Sequence, residues 1–125
     1  MDEIKIVIPI NPVTKKNSQQ IFYNKKTRRP FITTSEAYKH YEYEAGFFIK
    51  PLGINTPVTV ECKFYMQTRR KVDLTNLLES IDDILVKCGA LEDDNYKIIA
   101  SHDGSRVYYD KENPRTEIVI RDFKE

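Results

Sequence analysis

Hydrophobic positions along the chain switch between the two-residue period of a strand and the longer period of a helix. From Ile4 to Ile8 the isoleucines alternate in part with Lys5 and Val7, which predicts a strand over 3–10, ended by Pro9 and Pro12. Residues 11–19 have loop composition. Ile21–Tyr23 and Phe31–Thr33 flank the polar run 24–30 and predict a hairpin with a basic tip. Thr33 and Glu36 stand at capping-box spacing, so a helix is expected from about 35 to 50. Tyr38, Tyr41, Ala45 and Phe48 share one side of it, and a stripe of that kind is core before it is a base-stacking surface. Pro51, Gly53 and Asn55 break the chain. Val58, Val60, Cys62, Phe64 and Met66 then line one face of a long strand.

The strongest pattern follows. Leu74, Leu77, Leu78, Ile81, Ile84, Leu85 and Cys88 recur at i, i+3, i+4 and i+7, the stripe of an amphipathic helix. Asp73 stands where an N-cap belongs and Gly89 where a left-handed C-terminal residue belongs, with Lys87 in the last turn. Tyr96–Ala100 and Arg106–Tyr109 predict two short strands around the turn at Asp103-Gly104. Arg115–Arg121 closes the chain as a strand, after the loop Lys111–Pro114. The order predicts an α+β fold: a mixed β-sheet with two amphipathic helices packed mainly on one face. At 125 residues the chain is expected to be one domain, 1–125.

Composition changes this picture little. The chain is 40% hydrophobic and 31% charged, ordinary for a globular protein. It holds no apolar run of membrane-spanning length and no signal-peptide pattern at its start. Cys62 and Cys88 fall inside predicted elements and read as small buried hydrophobes. Their scarcity suits a reducing cytoplasm, the expected location. Net charge is only +1, which alone points to no polyanion. The distribution says more. Basic residues gather at Lys15-Lys16, at Lys25-Lys26 with Arg28-Arg29, and at Arg69-Arg70-Lys71. Acidic residues gather between 73 and 94. A basic surface beside an acidic pocket suits a nuclease, the first gripping phosphates and the second a divalent cation. Each run read singly is also a solvated loop.

The carboxylates carry the chemistry. Hydrolysing a phosphodiester without a nucleophilic side chain needs a water made basic and a leaving oxygen stabilised, and magnesium supplies both. It takes hard oxygen ligands, often one or two carboxylates, and keeps several waters. Asp73 before the helix and Asp94 after it are candidate ligands. A helix of about 15 residues is roughly 22 Å long. The two acids therefore meet only if the chain folds back under the helix or a second copy supplies one of them. The plainer readings are an N-cap at Asp73 and a turn at Asp93-Asp94-Asn95. His40, in a helix with no paired ligand, reads as structural. His102 reads as part of a polar turn, with catalysis as the alternative. No Ser/His/Asp set, glycine-rich phosphate loop or histidine-rich metal motif is present.

Asp73-Leu74-Thr75-Asn76-Leu77, the helix behind it and Gly89-Ala90-Leu91-Glu92-Asp93-Asp94 resemble the RusA family of Holliday junction resolvases. Ile8-Pro9 through Pro12 to Lys15-Lys16-Asn17 resembles that family's opening strand and basic loop. The resemblance implies a homodimer that binds branched, four-way DNA and cuts opposed strands symmetrically with Mg2+, Mn2+ being a substitute. It implies a role in DNA recombination and repair of a phage, prophage or bacterium. Asp73 takes the place of the family's first motif aspartate and Asp94 the second of its Asp-Asp pair, both as metal ligands. The family's middle aspartate falls on Thr75 and a helical lysine on Glu79. Asp93 or Glu79 would assist, while Lys15, Lys16, Asn17, Arg69, Arg70 and Lys71 would hold DNA. Because Thr75 and Glu79 depart from the family pattern, a junction-binding module with weakened or lost catalysis is the alternative.

Overall fold

One face of a mixed sheet stays dry, and the alternation along its strands is the reason. The computed structural model describes residues 1–15, 19–23, 26–27 and 30–125, the side chains of 19–23 and 30–34 excepted. Its elements are β1 (Ile4–Ile8), β2 (Gln19–Tyr23), β3 (Pro30–Thr34), α1 (Glu36–Ala45), β4 (Val58–Met66), α2 (Leu74–Lys87), β5 (Ile99–Ser101), β6 (Arg106–Tyr109) and β7 (Arg115–Asp122). The main sheet runs β1-β7-β4-β5, with β6 also on β4. β7 lies antiparallel between β1 and β4, while β5 and β6 run parallel to the start and end of β4. A parallel return needs a crossover, and α2 is that crossover. It therefore runs back along the sheet from the C-terminal end of β4. β2 and β3 form a separate antiparallel pair. The basic residues Lys25, Arg28 and Arg29 of the expected hairpin tip lie outside the described residues.

Ile6 and Ile8 of β1, Val58, Val60, Cys62 and Phe64 of β4, and Ile118 and Ile120 of β7 are buried in one cluster. Leu77, Ile81, Ile84 and Leu85 of α2 and Tyr38, Tyr41 and Ala45 of α1 belong to the same cluster. Both helices thus cover one face of the sheet, the α+β arrangement that the strand and helix periods imply. Intervening residues such as Lys63, Tyr65 and Glu117 stay partly wet on the other face. There Arg115 pairs with Asp110 and Glu117, and Arg121 approaches Glu61.

Local details depart from the pattern for identifiable reasons. The N-cap of α1 is Ser35, whose Oγ accepts from the Tyr38 backbone N–H at 3.2 Å. The Thr33–Glu36 spacing is therefore not the cap. After Ala45 the chain tightens into a 3₁₀ turn over Gly46–Phe48. Three residues per turn swing Phe48 off the buried stripe, to 44% exposure, and Ile49 enters the core instead. α2 ends as expected. Gly89 sits at φ +79°, where a side chain strains the backbone. Ala90 N–H donates to the Leu85 carbonyl and Gly89 N–H to that of Val86, the paired bonds of a Schellman end. Lys87 reaches across to Glu42 of α1. The strand expected at 96–100 is shorter, because residues 96–98 form a turn. Ile98 and Ile99 N–H groups both donate to the Asn95 carbonyl, so β5 begins only at Ile99.

Candidate acidic site and its basic approach

Chain geometry at the two ends of α2 decides which acids meet. β4 delivers the chain at Met66 to an irregular approach, tied to the N-terminal loop by Gln67 N–H donating to Asn11 Oδ1 at 2.9 Å. Arg69, Arg70 and Lys71 are exposed along it. Asp73 follows in N-cap conformation, yet its carboxylate accepts no backbone N–H. It accepts from Asn76 Nδ2 at 3.3 Å instead and stays exposed. An exposed acid at a helix N-terminus can take a further partner besides Asn76.

Lys15 is fixed to the same helix. Its N–H donates to Ser80 Oγ at 2.9 Å, and that hydroxyl donates to the Asn76 carbonyl. Its Nζ lies 3.8 Å from Asp83. Lys16 and Asn17 lie outside the described residues. Thr75 and Glu79, one helical turn apart, are both exposed, and Asp82 and Asp83 continue the polar stripe towards the helix C-terminus.

Beyond the Schellman end the chain doubles back. Leu91 bridges to Ile54, and Glu92 N–H donates to the Ile54 carbonyl at 2.9 Å. Asp93 then closes a turn on itself: its Oδ1 accepts from Asp94 N–H at 2.7 Å and its Oδ2 from Asn95 Nδ2 at 3.0 Å. Those bonds hold the Asp93 carboxyl below the usual range, so its lone pairs already serve the loop. The charge of Asp94 acts on Asp82 and Asp83 of α2. Burial pushes the Asp83 carboxyl up, Lys15 pulls it back, and Asp94, Glu79 and Asp82 push it up again. Asp94 and Glu79 thus lie within electrostatic reach of Asp82 and Asp83. Asp73 stands about 14 Å further along the helix by its rise, and no hydrogen bond joins it to Asp94. Among the described residues no group of three or more His, Cys, Asp and Glu side chains is arranged to hold a metal.

One pair has no signature in residue spacing. His102 Nε2 lies 2.9 Å from Asp82 Oδ2, and its Nδ1 lies 2.9 Å from the Val60 carbonyl. Both ring nitrogens face acceptors, so the imidazole is best satisfied doubly protonated. Burial opposes that charge, but the Asp82 hydrogen bond, the Asp82 charge and the Val60 carbonyl outweigh it and raise the His102 pKa. Asp82 is itself raised, first by burial, then eased by His102 and raised further by Asp94 and Glu79. Its Oδ1 is buried without a partner. The available signal was Asp82 beside the apolar stripe, next to Ile81. Among the described residues His40 pairs with Glu44 on the surface of α1.

This pair sets a pH dependence. A raised folded-state pKa on His102 adds stability that is complete below the ordinary histidine value of about 6.5 and is lost as pH rises through the folded value. Wild type is expected to melt at progressively lower temperature from pH 6.5 upward, and His102→Gln to show a flatter profile. Identical slopes from pH 6 to 9 would remove the pair as a source of stability.

The sequence matches the family described as Endodeoxyribonuclease RusA over residues 9–121. The chain belongs to that family. A curated relative, the crossover junction endodeoxyribonuclease RusA of Aquifex aeolicus (strain VF5), is 30% identical over 125 residues, covering 99% of this chain and 95% of the relative. Among the described residues no helix is long and apolar enough to cross a membrane.

Proposed function

We propose that this protein is a divalent-metal-dependent endonuclease that resolves four-way DNA junctions by paired cuts in opposed strands, in recombination and repair. The single observation that carries the reading is the approach of Asp94 to within electrostatic reach of Asp82 and Asp83 on α2, the helix that the exposed Arg69-Arg70-Lys71 segment leads into. Family membership supplies the substrate class.

The donor set fits a magnesium ion in its chemistry. All candidate ligands are carboxylates; burial is the first cause that raises Asp82 and Asp83, and the neighbouring acids that raise them further exert a repulsion that a cation relieves. One or two carboxylates suffice for magnesium, which keeps waters on its other positions. Asp73 lies about 14 Å by the helix rise from the Asp82-Asp83 pair on which Asp94 acts. Asp73 and Asp94 would therefore hold it together only where a second copy brings its Asp94 to this Asp73, and Mn2+ would serve in its place. Bound there, the metal supplies Lewis acidity and a more acidic water. Glu79 adds negative charge beside the hydroxyl of Thr75, Asp93 fixes the turn that aims Asp94, and Lys15 with Arg69, Arg70 and Lys71 neutralises phosphates. Lys16 and Asn17 belong to the same proposed contact set. Two symmetric cuts call for two sites, and a homodimer provides them.

A second reading keeps junction binding without turnover. The neutral Thr75 in place of a family aspartate and the separation of Asp73 from Asp94 favour it. Incubation of wild type with a synthetic four-way junction and with a linear duplex of the same sequence, in Mg2+ and in chelator, separates the two. Symmetric nicks in the junction only, lost in chelator, support the endonuclease. Tight chelator-insensitive junction binding with no product supports the binding module.

A further inference from the structure

β6 is an edge strand with all four residues exposed, Arg106, Val107, Tyr108 and Tyr109. Tyr108 is 39% and Tyr109 42% exposed, aromatic surface on an open sheet edge. The rings are ordered by cations. Tyr65 and Tyr108, paired across β4 and β6, stack at 5.0 Å between centroids, and Arg115 covers Tyr65 at 3.7 Å. Asp110 and Glu117 neutralise Arg115, so that row is closed on itself. The other ring differs. Tyr109 pairs with Met66, which places it on the sheet face that carries α2, at the start of the approach to Asp73. The guanidinium of Arg69 lies 4.0 Å from its centroid, and Arg69 forms no ion pair among the described residues.

We propose that Tyr109 and Arg69 form a platform on which DNA places an unpaired or unstacked base, with the neighbouring phosphate on Arg69. The inference rests on the junction-nuclease reading and deepens it. Charge decides the occupant. An aromatic ring with the Arg69 guanidinium on it, followed in the chain by the exposed cations Arg70 and Lys71, matches a base with its phosphates better than an apolar partner surface. Base–aromatic stacking tolerates any sequence, and a branch point is where paired DNA most readily yields a free base. The platform would thus favour branched over linear DNA without reading sequence.

The test is binding, in chelator, of a four-way junction with 2-aminopurine at the crossover and of a linear duplex. Wild type is compared with Tyr109→Ala, Tyr109→Leu and Tyr109→Phe. Tyr109→Ala and Tyr109→Leu are expected to bind the junction about tenfold or more weakly and to lose the 2-aminopurine fluorescence change. Duplex affinity is expected to stay within about twofold, and Tyr109→Phe to match wild type on both DNAs. Junction affinity unchanged in Tyr109→Ala, or lost equally on both DNAs, overturns the platform. So does a changed oligomeric state of Tyr109→Ala by light scattering, which would make β6 a self-association edge. Wild type that shows no junction preference sinks the junction reading itself, and with it the platform. A junction-selective wild type with an indifferent Tyr109→Ala sinks the platform alone.

Discussion

Asp94→Asn is expected to bind a four-way junction as wild type does and to cut it at least about a hundredfold more slowly. The substitution keeps shape and removes one negative charge. A metal ligand contributes several kcal/mol of transition-state stabilisation, and each 1.36 kcal/mol is about tenfold in rate. Binding should hold because phosphate contacts come from cations elsewhere, and removing an acid there eases repulsion. Asp93→Asn is the informative neighbour. Its carboxylate oxygens serve the turn through Asp94 N–H and Asn95 Nδ2, and an amide oxygen retains part of that, so its loss of rate is expected to be smaller than tenfold. The measurement is single-turnover cleavage in Mg2+ with junction affinity measured separately in chelator. Equal cleavage by wild type and Asp94→Asn removes Asp94 from the chemistry.

Phe64→Ala is expected to cost about 3–5 kcal/mol of stability, the largest effect foreseen on folding. Phe64 is fully buried on the central strand, where β4 pairs with β7 on one side and β6 on the other. Removing the ring opens a cavity beneath the helices that rigid sheet pairing on both sides keeps from closing. Urea unfolding, followed by circular dichroism, measures the change. A loss under about 1 kcal/mol would mean that the core relaxes into the gap, and that this face of the sheet is less tightly packed than its burial indicates.

What could be read in advance follows from periodicity. The α2 stripe and its Gly89 end were legible because local rules act there alone: spacing sets the buried face, and only a residue tolerant of positive φ ends the helix cleanly. The β4 face was legible for the same reason. Phe48 was not, since a short 3₁₀ turn changes the period without a signal in the side chains. The strand at 96–100 was overestimated because Asn95 captures two backbone N–H groups that a ladder would otherwise use. Asp82 and His102 stand 20 residues apart, on a helix and after a strand, and no spacing rule connects such elements.

The candidate site divides along the same line. Sequence alone named the candidate residues, the acids between 73 and 94 and the cations before them, and the family resemblance. It also determined that a helix separates Asp73 from Asp94, because that is a matter of counting residues along a known rise. Only the tertiary structure decided where Asp94 goes. The bridge from Leu91 to Ile54 and the turn on Asp93 reverse the chain, so Asp94 acts on the middle of α2 rather than beyond its end. A loop's direction depends on the strand waiting to receive it, and that strand is positioned by β4, far away in the sequence.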